Sequence, residues 1–379
     1  MWEQIRSNQI RSVILVAAMA ALLLLIGYFL GAAFLGSGTG GLIIALAIWI
    51  VMNLVAFFQG DHILLALSRA KKIGRDDHPR LYNIVEEMKI ASGLERMPDI
   101  YIIDDPALNA FATGRDAKHA SVAVTSGLLQ KLNRDELQGV IGHETAHIKN
   151  RDVLLMSLCS ILLGTIVILA WYGTRMLFLR AMFGGRRSSG GGQAQVIILI
   201  VAILLAILAP ILAQLIYFAI SRKREYLADA SSALYTRYPE GLASALEKLA
   251  ASTAQLKSAN QASAPMYIIN PFRKKGRAAS DLTSTHPPIS ERIRILRSMA
   301  GGASFADYDR AFRQVHKGGK RALSVSTVAS VGAVGLRAAE DVPREPEPSK
   351  VERTREVSDL MWRMNDYKTI TCDCGTKLK

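Results

Sequence analysis

The chain has 379 residues, of which 50% are hydrophobic, with three cysteines and a formal net charge of +14. Three cysteines exclude the disulfide framework of a small secreted protein and suit a reducing compartment. The basic balance suggests either nucleic acid or an anionic membrane surface as a partner, and the positions of the basic residues decide between them.

Two apolar blocks, 13–35 and 42–58, stand near the start of the chain and contain no charged residue. About 20 apolar helical residues cross a bilayer core, so these blocks predict two membrane helices. Arg6 and Arg11 precede the first block, as they would in a signal peptide. The length of that block and the second block behind it favour a retained span. A short Gly-rich turn joins the two, so residues 1–58 predict a membrane hairpin.

Residues 59–152 alternate between helix and strand patterns, which predicts the first half of an α+β domain. The predicted elements are a helix at 81–93, strands at 99–104, 110–114 and 120–127, a short helix at 126–132 and a helix from Asn133 to about Asn150. Asn133 is a plausible N-cap for the last helix, with Asp135 and Glu136 in its first turn.

A His-Glu-x-x-His motif, formed by His143, Glu144 and His147, lies on that last helix. Residues four apart share one helix face, so both imidazoles can bind a single tetrahedral Zn²⁺. Glu144 stands beside the first histidine, where it can act as a general base on water. The motif on a predicted helix is typical of zinc hydrolases.

Two further apolar blocks, 153–172 and 196–220, predict a second membrane hairpin over residues 153–220. Their length and lack of charge favour this over a buried hairpin in a soluble core. The loop at 173–195 carries four arginines, which are not expected on the outer side of the membrane. The alternative that this hairpin does not fully cross the bilayer is therefore kept.

Basic residues flank the four blocks on one side of the membrane if every block crosses, which makes that side the cytoplasm. They are Arg6, Arg11, Arg69, Lys71, Lys72, Arg75, Lys149, Arg151, Arg222, Lys223 and Arg224. Membrane topology therefore explains the net charge, and nucleic acid is not expected as a partner.

A catalytic zinc needs a third protein ligand, and Glu225 is the best candidate. Glu225 and Asp229 lie one helical turn apart, directly after the fourth apolar block. The first motif directly precedes the third block, so an antiparallel hairpin would return Glu225 to the level of His147. The alternative is a solvated surface pair, which is common for Glu and Asp.

The motifs "HETAHIKNRD" (143–152) and "REYLADA" (224–230), inside a chain of four predicted spans, resemble the HtpX type of M48 zinc metalloproteases. The stretches "NAFATG" (109–114) and "STHPPISERI" (284–293) fit the same family. The resemblance covers roughly residues 1–300. One departure is the threonine directly after the motif glutamate, where the family commonly has leucine.

The resemblance implies a zincin-like catalytic domain in the cytoplasm. It implies His143, His147 and Glu225 as zinc ligands and Glu144 as a catalytic residue. It further implies that Asp229 orients one of the ligand histidines. The α+β domain with about four transmembrane helices is thus expected to be an integral membrane enzyme.

Two further sites complete the prediction. His286 is a candidate donor to the developing oxyanion, and the alternative is a surface histidine in a rigid "THPP" turn. A substrate in extended conformation could pair with a sheet edge at four residues. Those residues are Asn109, Ala110, Phe111 and Ala112. No phosphate-binding loop is visible, so we expect cleavage without ATP.

The residues after the fourth apolar block are expected to form three parts. Residues 221–315 predict the second half of the catalytic domain, with the third ligand. Residues 316–355 are charged and Pro-rich in part and predict a disordered linker. Residues 356–379 hold Cys372 and Cys374, which resemble half of a zinc ribbon. Two alternatives remain for these cysteines, a second, structural zinc site or two free thiols, because two thiolates are only half of a four-ligand site.

The function implied by the resemblance is an endopeptidase of the bacterial inner membrane that cleaves misfolded or damaged membrane proteins at the cytoplasmic face. Expected partners are unfolded or membrane-protein substrates and the lipid bilayer, and a homo-oligomer is left open. The alternative function is an inactive membrane scaffold with a structural zinc. A haem carrier is excluded, because two histidines on one helix turn cannot bind opposite faces of one haem.

Overall fold

The computed structural model describes residues 2–183, 224–254, 287–299, 301–319, 321–337 and 347–365, and the short pieces 200, 203, 207–208, 211, 222, 256, 267–268, 370–371 and 377–378. In chain order, the described elements are α1 (Trp2–Leu35), α2 (Gly38–Leu67), β1 (Lys71–Ile73), α3 (Pro79–Ser92), β2 (Asp99–Ile103), β3 (Ala110–Asp116), β4 (His119–Thr125), α4 (Ser126–Lys131), α5 (Arg134–Lys149), α6 (Val153–Phe183), α7 (224–236), α8 (Pro239–Ala251), α9 (Ile289–Arg297), α10 (Phe305–His316), α11 (Val325–Ala329), α12 (Lys350–Met364), β5 (Ile370–Thr371) and β6 (Lys377–Leu378).

Helices α1, α2 and α6 contain stretches that are long and apolar enough to cross a membrane, at Val16–Leu35, Gly38–Leu67 and Val153–Gly173. Three of the predicted spans are therefore helices of sufficient length and apolar composition to cross a membrane. The fourth, 196–220, falls almost wholly outside the described residues. Helices α1 and α2 form the predicted hairpin and approach closely at glycines, since a Cβ on Gly41 would lie only 2.5 Å from the Cα of the facing glycine in α1.

The folded core that follows α2 is built on a four-stranded sheet with the order β1-β2-β4-β3. Strands β2 and β4 are parallel, and the other pairs are antiparallel. Strand β3 therefore forms one edge of the sheet. Strands β2, β3 and β4 confirm the three that the sequence predicted. Strand β1 was missed because three residues, two of them lysine, give no recognisable alternation.

Helix α5 is the central helix of the core, and its beginning matches the predicted N-cap. Asn133 Oδ1 accepts a hydrogen bond from the Glu136 backbone N–H at 2.9 Å, and the Glu136 carboxylate accepts one from the Asn133 N–H at 2.8 Å. This reciprocal pair is a capping box. Ser232 on α7 donates to the Gly139 carbonyl at 2.7 Å, which aligns α7 along α5.

Residues beyond α9 fold back onto this core, which corrects part of the sequence analysis. The predicted disordered linker at 316–355 contains α11 and the start of α12, so the prediction was wrong for those residues. Helix α12 buries Val357, Leu360 and Met361, which lie three and four residues apart on one face. The sequence analysis missed this stripe because charged residues surround it. Cys372 and Cys374 lie outside the described residues.

Replacing Leu360 with alanine tests whether α12 belongs to the core. Leu360 is 1% exposed, and removing a buried leucine side chain costs about 2–5 kcal/mol. We expect Leu360→Ala to lower the thermal unfolding temperature of the detergent-solubilised chain and to speed its trypsin cleavage within α12. The control is Val351→Ala on the same helix, at a residue that is 71% exposed. Equal behaviour of the two variants would mean that α12 is not packed.

Candidate metal centre and active site

The two motif histidines point to one place beside α5. His143 and His147 are both buried, and their Nε2 atoms lie 3.3 Å apart. Their rings meet edge to face, with centroids 4.8 Å apart. Both Nε2 atoms converge on one point. The Nδ1 atom of each ring therefore faces away from that point and is available to a second side chain.

Glu225 supplies a third donor from the first turn of α7. Its Oε2 lies 3.5 Å from His143 Nε2, and its Oε1 lies 3.5 Å from His147 Nε2. A tetrahedral centre with bonds of about 2.0–2.1 Å separates its ligand atoms by about 3.4 Å. The nearest atoms of the three side chains therefore stand close to the spacing of zinc ligands, with one ligand atom from each within 4.8 Å of the others, and the predicted return of Glu225 to the histidines is confirmed.

His143 is held from behind by a buried ion pair. Its Nδ1 lies 3.0 Å from Asp229 Oδ1. Arg292 grips the same carboxylate twice, with Nε 2.8 Å from Oδ2 and Nη2 2.6 Å from Oδ1. Burial alone would raise the pKa of Asp229, but the positive charge of Arg292 and the contact with His143 hold that pKa below its usual value. Burial would lower the pKa of His143, but hydrogen bonds to Asp229 and Glu225 raise it to about 9.

His147 is held in a parallel way by residues that the sequence analysis did not assign. Its Nδ1 lies 3.3 Å from Asp152 Oδ2, and Arg224 Nη1 lies 3.7 Å from the other oxygen of that carboxylate. The chain reaches this position through a tight turn, in which the Asp152 N–H donates to the His147 carbonyl at 2.9 Å. Each histidine thus has a carboxylate behind it, and an arginine lies near each carboxylate. Such partners fix the orientation of a metal-binding imidazole.

Glu144 lies against the edge strand of the sheet. It is 1% exposed, and the backbone N–H of Ala112 donates to its carboxylate. Among the described residues, its Oε2 has no hydrogen-bond partner. Burial raises the pKa of Glu144. A carboxylate oxygen without a partner, next to the three donors, is available for proton transfer.

The four residues predicted to bind substrate lie at the edge strand β3, but they are buried. Asn109 is fixed to Thr125, whose hydroxyl accepts from the Asn109 N–H at 3.0 Å. The Ala110 carbonyl accepts from the Ile268 N–H at 3.0 Å, and the Phe111 ring packs against Tyr267 with centroids 5.1 Å apart. A piece of the chain itself therefore covers part of this edge. His286 falls outside the described residues.

Comparison with known proteins agrees with this geometry. The sequence profile of peptidase family M48 matches residues 75–300. "Protease HtpX homolog" of Dictyoglomus turgidum is 46% identical over 79% of this chain and 94% of its own length. The proteins of the same name from Syntrophobacter fumaroxidans and Streptococcus pneumoniae are 44% and 42% identical, over 77% and 79% of this chain and 99% and 100% of their own lengths.

This chain belongs to peptidase family M48. Its relatives are named as homologues of the protease HtpX, and its described residues include three helices that could cross a membrane and a His-His-Glu group that could bind a metal. The M48 match includes α9 with Arg292 and ends before α10. Among solved structures, the crystal structure of S. mikatae Ste24p aligns with a TM-score of 0.43 at 20% identity, over 78% of this chain and 67% of that one. That score is too low to support a conclusion.

The M48 core offers a matched pair of arginines on α9 to test the buried ion pair. Arg292 is 0% exposed, and removing one member of a buried pair costs about 3–5 kcal/mol because the other charge is left uncompensated. We expect Arg292→Leu to lower the unfolding temperature of the metal-free protein strongly. Arg297, which contacts Glu240 and Glu247 in solvent, is the control, and Arg297→Leu should leave stability nearly unchanged. A similar loss in both variants would contradict the structural role of the pair.

Proposed function

We propose that this M48 protein is a zinc metalloendopeptidase that cleaves misfolded or damaged membrane proteins at the cytoplasmic face of the bacterial inner membrane, without ATP. One observation carries the proposal. Three buried side chains, His143, His147 and Glu225, bring their nearest nitrogen and oxygen atoms to 3.3–3.5 Å of one another, beside a buried carboxylate that has an oxygen free for a proton among the described residues.

The donor set suits a catalytic zinc better than a structural one. His143, His147 and Glu225 would hold the ion, and zinc, when bound, supplies Lewis-acid polarisation of a carbonyl and of water. Catalytic sites use three protein ligands and leave one position open, whereas structural sites fill four. Within the described residues, the cluster of possible ligands has three members. This favours the enzyme over the inactive scaffold.

Glu144 is the residue that would handle the proton. As a carboxylate it would accept a proton from the attacking water and then donate it to the leaving amine. Its second oxygen is held by the Ala112 N–H of the edge strand, which fixes the direction of the free oxygen. His286 stays a candidate for the oxyanion donor.

The position of the site beside membrane helices supports membrane proteins as substrates. Helix α6 starts one residue after Asp152, which contacts the ligand His147. The hydroxyls of Thr113 on β3 and Ser157 on α6 lie 3.2 Å apart, which joins the sheet edge directly to a membrane helix. The basic flanks of the spans favour a cytoplasmic catalytic domain. Cleavage would therefore take place at the surface of the bilayer.

The edge strand suggests how the substrate is recognised. An extended polypeptide would pair with backbone groups of β3, a mode that selects unfolded chain and not a particular sequence. The outward carbonyl of Ala110 is bonded to Ile268, so a substrate that pairs there must displace this contact. Tyr267 anchors the contact through its hydroxyl, which lies 3.1 Å from that of Ser68.

Replacing Glu144 with glutamine tests the proposed chemistry. Glutamine keeps the shape of the side chain but cannot accept the proton, and a general base contributes about 10²–10⁴-fold to the rate. We expect Glu144→Gln to lose at least about 10²-fold in casein cleavage while it retains one zinc per chain by metal analysis.

Glu225→Gln serves as the comparison, because it should lose both zinc and activity. Zinc binding by the wild-type protein without any cleavage of casein or of a membrane substrate would favour the scaffold. Full activity of Glu144→Gln would rule out the proposed base.

Replacing Ile268 with proline tests the competition at the edge strand. Proline has no backbone N–H, so the bond to Ala110 is lost, a bond worth about 0.5–1.5 kcal/mol. We expect the KM for an unfolded substrate to fall by about two- to tenfold with kcat little changed. Ile268→Ala keeps the N–H and separates the hydrogen bond from the packing. A raised KM in the proline variant alone would show that the contact helps binding and does not oppose it.

A further inference from the structure

Each of the two histidines has a carboxylate behind its ring, and Glu225, the third possible metal ligand, needs support of its own. Its carboxylate oxygens lie 3.5 Å from one nitrogen of each histidine. A glutamate side chain loses much rotamer freedom when it is fixed. It keeps both oxygens in place only if the backbone of α7 has a fixed position and rotation. The contacts of the neighbouring residue on α7 show how this is achieved.

Tyr226, the residue after Glu225, joins α7 to α9 and α10. Its hydroxyl donates to the Glu291 carboxylate on α9. Its ring packs edge to face against Phe312 on α10, with centroids 5.0 Å apart. Successive side chains on a helix differ by about 100° in direction. A tyrosine that is held at both its ring and its hydroxyl therefore fixes the rotation of α7, and the direction of Glu225 follows.

Glu291 connects three helices through one carboxylate oxygen. Its Oε1 accepts from the Tyr226 hydroxyl and lies 3.1 Å from Nε2 of His316, the last residue of α10. His316 is itself fixed, because its Nδ1 lies 2.9 Å from the Phe312 carbonyl oxygen and its ring stacks on the Phe312 ring with centroids 4.0 Å apart. Helix α10 thus holds both the tyrosine and the carboxylate that the tyrosine contacts.

A second route leads from Glu291 to the same ligand. The next residue on α9 is Arg292, whose Nη1 lies 3.7 Å from Glu225 Oε2. The M48 match covers α7 and α9 and ends before α10, so Phe312 and His316 lie outside the matched residues. The support for Glu225 therefore begins within the family core and is completed by a helix beyond it.

We propose that Tyr226 and Glu291 are positioning residues for the metal, and that α10 holds them in place. Their contact keeps both oxygens of Glu225 directed at the histidines. The inference rests on the proposed function, because it concerns how tightly the proposed zinc is held. Residues that support metal ligands contribute about 10–100-fold to metal affinity. Tyr226 and Glu291 act through the backbone and not on the ligand atoms, so the expected contribution is about tenfold, at the lower end of that range.

Replacing Tyr226 with phenylalanine tests the proposal in the full chain, purified in detergent. The variant loses one hydroxyl and keeps the ring that packs on Phe312. The zinc dissociation constant is measured by competition with a chelator, and zinc that remains on Glu225→Gln is subtracted because it belongs to another site. We expect Tyr226→Phe to bind zinc about tenfold more weakly than the wild-type chain.

Variants of Glu291 show whether the two residues act together. Glu291→Ala should also lose about tenfold in zinc affinity. The double variant with Tyr226→Phe should lose no more than either single variant, because both changes remove one shared contact. Glu291→Gln keeps a side-chain oxygen that accepts a hydrogen bond from Tyr226, so it should retain most of the affinity.

Tyr235→Phe is the matched control, on the same helix and with the same chemical change. Tyr235 is largely buried, its hydroxyl bonds to Ser231, and it lies ten residues after Glu225. We expect its zinc affinity to equal that of the wild-type chain. The unfolding temperature of the metal-free protein should fall by a similar small amount in Tyr235→Phe and Tyr226→Phe. A purely structural role of Tyr226 would change this temperature without a selective change in zinc affinity.

The possible failures can be told apart. The inference is overturned if the wild-type chain and Tyr226→Phe bind zinc equally well, or if Tyr235→Phe loses as much affinity as Tyr226→Phe. It is also overturned if the losses of Tyr226→Phe and Glu291→Ala multiply in the double variant, since the two residues would then act separately. A wild-type chain that binds no zinc at this site would overturn the proposed function together with the inference.

Discussion

The ion pair between Asp229 and Arg292 is the interaction on which the site depends. Both side chains are fully buried, and together they bring α9 against α7 and hold His143 of α5. In a low-dielectric interior, a lone carboxylate would take up a proton. A protonated Asp229 would no longer serve as the hydrogen-bond acceptor that orients the imidazole of His143. The guanidinium keeps it charged. Three helices that are distant in sequence thereby converge on one histidine ring, and the direction of its other nitrogen towards Glu225 follows.

The membrane helices contribute to the same geometry. Helix α6 begins directly after the turn that carries Asp152, and Glu225 stands one residue after Arg224, which approaches the same carboxylate. The residue directly before α6 and the first residue of α7 therefore both support His147. A shift in the position of these helices in the bilayer would be transmitted to His147 through only a few atoms.

The features that depend on a local sequence pattern could be predicted from the sequence. Features that depend on contacts between residues far apart in the chain, or on very short patterns, could not. His143, Glu144 and His147 follow from spacing on one helix, and Glu225 followed from a hairpin argument combined with a family resemblance. Asp152 was within reach, since it is only five residues after a ligand, in the same motif. Arg292 could not be predicted, because it lies 149 residues from His143. A charged residue on a helix also usually indicates a solvent-exposed position. Helix α12 was missed for a related reason, since few apolar residues stand among many charged ones.

The contact between Lys71 and the end of α12 has a consequence for how the protein is made. Strand β1 follows the second membrane helix, so it leaves the ribosome early, yet its lysine is satisfied by the Met364 carbonyl and Asn365, almost 300 positions later. During synthesis, Lys71 at the edge of the sheet therefore lacks these partners until the 293 residues up to Met364 have emerged. Closure of the core is a late event, and a nascent chain that has not reached α12 is left without this contact.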